Sequence, residues 1–300
     1  MKHSKKELIN IQEDILQKLR RGSPSLSRDN VVISSSVKDQ KVILSTEQAG
    51  AKVSDFSSLF PEYNGLIEIQ AGGINEPAKA RTDAFTEMGG GIQISTGGTC
   101  SSNSTATKDT REFLITAGHC ITSTGSTVSQ GGTNIGTQHF SAYADGGTDV
   151  GLVLLTNTNK KIGNKYYYNN VSNAEYDKKY TTTSTALTGE LICKSGVTSN
   201  VTCGTVNDTN ASVSYGSITL SNMIRVYKDG GGFILGGDSG GTVFNAYTTT
   251  QLVGIVSGRN TSGSPEGTWG YVTKISPALT AAGAVSLYTS DTTKVVDPNN

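Results

Sequence analysis

The chain has 300 residues, 35% of them hydrophobic, and its 25 basic residues equal its 25 acidic ones, so the formal net charge is zero. That balance supplies no field to recruit nucleic acid or an anionic membrane, and no apolar run approaches the roughly 18 residues of a membrane span. Only 17% of residues are charged, while Gly, Ser, Thr and Asn are abundant, as in all-β proteins with many turns.

The first 21 residues, MKHSKKELINIQEDILQKLRR, open with basic residues but lack the apolar core of a secretory signal. Leu8, Ile9, Ile11, Ile15 and Leu19 fall near helical spacing and predict an amphipathic helix. NVVISSS and KVILST predict a hairpin turned by VKDQ. SDFSSLFPEY reads as a short helix or turn, and LIEIQ as another strand. AGGINEPAKARTDAFTEMGGG then has the composition of an exposed linker, where proteolytic nicking concentrates.

From Gly89 the texture changes. Short apolar runs (GIQIS, EFLITA, VGLVLLT, GELIC, CGTV, SVSYG, MIRVY, GTVF, LVGIVS, GYVTKI) alternate with Gly/Ser/Thr/Asn turns, which predicts a β-sandwich or β-barrel. One late helix is expected in SPALTAAGAV, and residues 291–300 read as a polar tail. No internal repeat is present.

Four cysteines form two local couples, Cys100 with Cys120 and Cys193 with Cys203, which suits two disulfides in an oxidising compartment. A zinc site is the competing reading. It calls for close ligand pairs such as CxxC, which the sequence lacks, and for more than the three histidines present. His3 and His139 have no evident partners and read as surface residues.

Three segments carry chemistry: LITAGHC with His119, GGTDVGLVLL with Asp149, and GGDSGG with Ser239. A serine hydroxyl attacks a carbonyl at neutral pH only if a base within hydrogen-bond reach takes its proton, and imidazole titrates in the right range. A carboxylate behind the imidazole fixes its tautomer and stabilises the cation. The tetrahedral oxyanion needs unobstructed backbone N–H groups, which Gly237 and Ser239 supply in one tight turn, and Gly240 and Gly241 admit a close neighbour. Each segment alone has an ordinary explanation: a surface turn, a half-buried histidine, a strand-entry cap. The order His…Asp…Ser, at intervals of 30 (149 − 119) and 90 (239 − 149) residues, favours the catalytic one.

TAGHC, TDVGLVLL and GDSGG in this order resemble the trypsin/chymotrypsin-like serine peptidases, and more narrowly the bacterial streptogrisin and α-lytic-endopeptidase branch. GGGIQISTGGTCS resembles the mature start of those enzymes, ICKSGVTSNVTCGTV their second disulfide loop, and LVGIVSG with GTWGYVT their substrate-binding strand and pocket wall. The likeness runs from about Met88 to about Tyr288. It implies His119 as general base, Asp149 as its orienting partner, Ser239 as nucleophile, and the N–H groups of Gly237 and Ser239 as oxyanion hole. It also implies an amino-terminal pro-segment that assists folding and blocks the cleft until removed. A non-local β fold that forms slowly gives such an aid a physical purpose.

The expected architecture is therefore all-β. A small α/β pro-segment (residues 1–86) precedes two antiparallel β-barrels (about 88–185 and 186–290) in a peptidase domain at 87–290, with the tail last. Pro-segment cleavage is expected in roughly Ala84–Gly90. In animal members the aspartate beside the nucleophile, here Asp238, pairs with the new amino terminus. In the bacterial branch an arginine does so, and Lys194 stands in its place; a solvated surface lysine is the alternative. The branch's third disulfide is absent, since neither Phe233-Ile234-Leu235 nor the chain after Ser257 holds a cysteine. Ser257, Gly258, Arg259, Gly267 and Trp269 stand at substrate-binding positions. A glycine wall, the indole and the FIL run favour an apolar side chain at P1, the substrate residue before the cut; Arg259, at the pocket mouth, could narrow the site, attract a carboxylate or simply point to solvent.

The resulting expectation is a secreted, monomeric serine endopeptidase zymogen that acts on proteins or peptides through an acyl-enzyme, with no metal and no cofactor. The alternative is a secreted binding module that keeps the fold without the activity. An esterase on an α/β sheet is disfavoured, because its GxSxG precedes the acid and the histidine.

Overall fold

The computed structural model describes residues 3–22, 31–46, 60–71, 79–169 and 175–299. The chain divides into two compact units, Met1–Pro77 and Ala78–Asn300.

In the first unit the amphipathic run forms the helix Lys5–Gly22. Val31–Ser36 pairs antiparallel with Lys41–Thr46 as the hairpin pattern predicts, and Ile67–Ala71 adds in parallel. Leu8 and Ile15 of the helix are buried with Val42, Leu44 and Phe60, so one helical face closes a three-stranded sheet. Of SDFSSLFPEY, Pro61–Tyr63 is a 3-10 turn, and the part before Phe60 lies outside the described residues.

The second unit holds two barrels. In the first, Gln93–Ser95 pairs with Thr99–Ser101 and Thr127–Gln130, and the order continues through Thr133–Ser141, Gly151–Leu155, Arg111–Thr116 and Ser104–Lys108. Thr99–Ser101 and Ser104–Lys108 are two halves of one run broken at Ser102-Asn103, and that run closes the ring. In the second barrel the order is Gln251–Arg259, Thr242–Asn245, Leu191–Gly196, Asn200–Tyr215, Ile218–Tyr227 and Trp269–Lys274. The last strand pairs back onto the first. Closure removes the exposed edges that invite aggregation. The second core gathers Val206, Ile224, Val226, Phe233, Ile234, Val243, Val256 and Val272. Asn200–Tyr215 and Ile218–Tyr227 extend well beyond the barrel as a long ribbon. Its tip docks on the first barrel, where Gly146 N–H donates to Thr219 O (2.8 Å) and Thr219 N–H to Asp145 Oδ1 (2.8 Å).

Two expectations from composition change. The supposed linker is, from Lys79 onward, part of the second unit: Phe85 and Met88 are buried, and Glu87–Gly90 is a strand parallel to Lys161–Tyr166. Its earlier residues, 72–78, lie outside the described set. The supposed polar tail is docked as well. Lys294–Val295 pairs with Lys161–Ile162, and Val296 is buried. In both, a few apolar residues among polar ones find backbone partners that no local pattern reveals. The late helix is present as Ile275–Ala281.

Candidate active site

Two adjacent strands bring His119 and Asp149 together. Arg111–Thr116 pairs antiparallel with Gly151–Leu155, with Gly151 opposite Thr116, so the turn after one strand meets the residue before the other. His119 lies in the 3-10 turn Gly118–Cys120, pinned by the Cys100–Cys120 disulfide. Asp149 is fully buried. Its Oδ1 accepts the His119 backbone N–H at 3.0 Å, and its Oδ2 receives the imidazole Nδ1 at 2.8 Å and the Ser257 hydroxyl at 2.6 Å. With Nδ1–H donating to the carboxylate, Nε2 is left as an acceptor. Burial pushes the imidazole pKa down, but the hydrogen bond and charge of Asp149 outweigh it and hold it above its ordinary 6.5.

Ser239 is half-buried in the turn Gly236–Gly241. The N–H groups of Asp238, Gly240 and Gly241 bond to Leu235, Val256 and Asp238 carbonyls, whereas those of Gly237 and Ser239 have no partner among the described residues. Gly237 has φ +99° and Gly240 φ +85°, values only glycine adopts without strain. A Cβ on Gly240 would lie 2.1 Å from Thr116 Oγ1 and 2.3 Å from Ser101 O, so the turn packs directly on the strand that leads to His119. Ser101 N–H also donates to Ser239 O at 2.7 Å. Within the described residues the Ser239 hydroxyl makes no hydrogen bond; such contacts often tighten only when substrate binds.

Asp238 and Lys194 are both fully buried, with Nζ 3.1 Å from Oδ2. Asp238 also accepts the N–H groups of Thr198 (2.9 Å), Ser199 (3.1 Å) and Leu235 (2.9 Å). Burial pulls the Lys194 pKa down to about 8 against the opposing pull of Asp238. Burial works to raise the Asp238 pKa, but Lys194 and the hydrogen bonds hold it below its usual value. The solvated-lysine alternative does not describe this residue. Cys193–Cys203 forms the other disulfide, so both couples are bridged and no thiolate remains for zinc.

The substrate-binding candidates divide. Ser257 and Gly258 lie at the site: Ser257 donates to Asp149, and a Cβ on Gly258 would lie 2.4 Å from Tyr215 Oη. Arg259 lies beside the Ser239 turn, its Nη2 3.4 Å from where a Cβ on Gly236 would be, and it pairs with Glu266 at 2.6 Å. Gly267, at φ +70°, packs against the Ile234 carbonyl. Trp269 turns elsewhere. Its indole stacks on the Arg225 guanidinium (3.7 Å) and Tyr227 (4.9 Å), and it lines a surface cavity with Thr188, Thr205 and Asn207. Phe233 and Ile234 are spent in the barrel core. His139 is half-buried rather than a plain surface residue, its ring 5.3 Å from Phe113.

Sequence reasoning missed three neighbours. Tyr143 sets its ring 5.6 Å from the imidazole, Tyr215 backs Ser257 and Gly258 from the ribbon, and Arg81 reaches the hairpin beneath Asp238. None stands in a motif, and only the fold brings them in. Among the described residues no group of three or more His, Cys, Asp or Glu side chains is placed to hold a metal ion, and no helix is long and apolar enough to cross a membrane.

No family model matches the chain. Individual relatives do. Glutamyl endopeptidase 2 of Streptomyces griseus is 32% identical over 172 residues, covering 57% of this chain and 84% of that protein. Serine protease 1 of Streptomyces fradiae is 35% identical over 175 residues, but those span only 45% of its length. The crystal structure of Nocardiopsis protease superposes with a TM-score of 0.56 at 29% identity, covering 68% of this chain and all of that one. With the two closed barrels, these likenesses make the assignment: the chain belongs to the chymotrypsin-like serine endopeptidases, in the branch of the streptogrisins and glutamyl endopeptidases.

Proposed function

We propose that this endopeptidase cuts peptide bonds with His119, Asp149 and Ser239 as its triad. The observation that carries the reading is the Asp149 cradle, in which one buried carboxylate takes both the backbone N–H and the Nδ1 of His119. Nε2 then accepts the Ser239 proton as Oγ bonds to the substrate carbonyl carbon. The Gly237 and Ser239 N–H groups stabilise the oxyanion. On collapse the C–N bond breaks, and the imidazolium returns its proton to the leaving amine. Water, deprotonated by the same imidazole, hydrolyses the acyl-enzyme and restores Ser239.

Residues 1–77, a compact unit apart, are read as the pro-segment of a zymogen. For P1 we favour an acidic side chain over the apolar one that composition suggested. Trp269, Phe233 and Ile234, which argued for an apolar pocket, pack elsewhere, while the Arg259 guanidinium stands by the nucleophile turn. Glu266 holds that guanidinium, so a substrate carboxylate would replace an internal one. The name of the relative glutamyl endopeptidase 2 agrees.

A fluorophosphonate probe should label the parent protein but not Ser239→Ala; no labelling in any processed form would favour the binding-module alternative. Peptide substrates differing only at P1 should show higher kcat/KM for Glu than for Leu or Phe. Glu266→Gln should widen that margin, and a preference for Leu or Phe would sink the acidic assignment.

A further inference from the structure

We infer that the peptidase body begins by Lys79 and that processing which frees it from residues 1–77 cuts before Arg81, so that the active enzyme keeps Arg81 covalently. This rests on the serine-endopeptidase reading and moves the cut upstream of the expected Ala84–Gly90 window.

The argument starts with Arg81, which is 5% exposed. Its guanidinium donates to Gly91 O (2.5 Å), Ser195 Oγ (2.7 Å), Tyr168 O (3.0 Å) and Asn200 Oδ1 (3.2 Å), and it stacks 4.4 Å over the Tyr167 ring. Those partners come from the start of the first barrel, the connection between barrels, and the hairpin whose Thr198 and Ser199 bind Asp238. Removing Arg81 would leave several buried acceptors unpaired beneath the nucleophile turn.

Thr82, Asp83 and Ala84 are exposed, but from Phe85 onward the backbone is committed. Phe85 N–H donates to Gln130 Oε1 (2.9 Å), and the Thr86 and Glu87 N–H groups donate to the Glu175 carboxylate (3.0 Å each). Lys161 N–H and Tyr176 Oη donate in turn to the Thr86 and Glu87 carbonyls (3.0 and 2.9 Å). A peptidase needs its substrate as a free extended strand, so cutting here first requires breaking these bonds.

The barrel is also shaped for the segment. A Cβ on Gly131 would lie 2.3 Å from Ala84 Cα, one on Gly163 1.8 Å from Glu87 Oε1, and one on Gly91 2.9 Å from Arg81 Nη1. Gly131 and Gly91 also have positive φ, which by itself favours glycine, and the closest backbone fit is that of Ala84 lying directly on Gly131. A disposable linker would impose no such demand.

The test follows the full-length chain over time and identifies, by intact mass and amino-terminal sequencing, every species that takes the fluorophosphonate label. Each is expected to begin at or before Arg81; a labelled species starting at Thr82 or later overturns the inference. If nothing labels, the endopeptidase reading fails instead, and the segment is judged by stability. In the Ser239→Ala chain, Arg81→Met should lower the thermal midpoint by about 8 °C, with Arg81→Lys intermediate. A midpoint within about 1 °C of the parent overturns the inference. Should Arg81→Met fail to fold, Arg81→Lys is judged by that same threshold.

Discussion

Asp149 and Asp238 are both fully buried beside the proposed catalytic groups, and their surroundings suit them to opposite tasks. Asp149 faces an imidazole whose charge, in the proposed mechanism, changes in every cycle. Asp238 faces Lys194, whose ammonium has no part in the proton transfers of the proposed mechanism. Asp149 takes a backbone N–H, an imidazole and one hydroxyl, so its partner can gain and lose a proton while the carboxylate stays fixed. Asp238 gathers three backbone N–H groups from two loops besides the ammonium and acts as a hub that sets the shape of the turn. The lesson is that burial alone does not mark a catalytic acid; the partner's freedom to titrate does.

The sharpest way to break the comparison is Asp149→Asn. It should lower kcat by about 10⁴-fold with little change in fold, because the amide favours the wrong imidazole tautomer. A fall under about tenfold, read by steady-state kinetics, would deny Asp149 its role. Asp238→Asn should instead act on structure, leaving the Lys194 charge buried and costing about 3–5 kcal/mol, or about 10 °C in thermal midpoint. An unchanged melting curve would show that the hub is not one.

A smaller effect is expected at Ser257. Ser257→Ala removes one hydrogen bond to the Asp149 carboxylate, worth about 1.5 kcal/mol, and should lower kcat/KM by about tenfold with KM nearly constant. The smallest concerns pH. The acid limb of kcat/KM should have its midpoint above 6.5 and move lower in Asp149→Asn, because the imidazole is held above its ordinary value in the native state. For the same reason the stabilisation from the His119–Asp149 pair is fully present below about 6.5 and is lost as pH rises through the folded value. Melting curves of Ser239→Ala and of Ser239→Ala with His119→Ala should therefore converge on going from pH 6 towards pH 8.

The proposed triad stands out in the sequence because its residue types have few other reasons to occur together, and because glycines on both sides of Ser239 announce a backbone that must stay bare. Strands with apolar runs were legible too, whereas STATK at 104–108 was not, since its inward positions are filled by small and polar residues. Trp269 was misdirected because strand alternation, which sends Gly270 towards Phe233 and Trp269 outward, depends on a register that pairing with Ile218–Tyr227 and Gln251–Arg259 sets. Arg81 looked like a linker residue because its partners lie 10 to 119 positions away.

The ribbon of Asn200–Tyr215 and Ile218–Tyr227 has a mechanical consequence. It grows from one barrel, fastens its tip to Asp145 and Gly146 of the other, and slides the Tyr215 ring beneath Gly258. The cleft is thereby braced from its far end, like a hinge fitted with a strut. The parts of the chain carrying the imidazole and the hydroxyl are thus tied together by a second set of contacts, remote from the Ser239 turn.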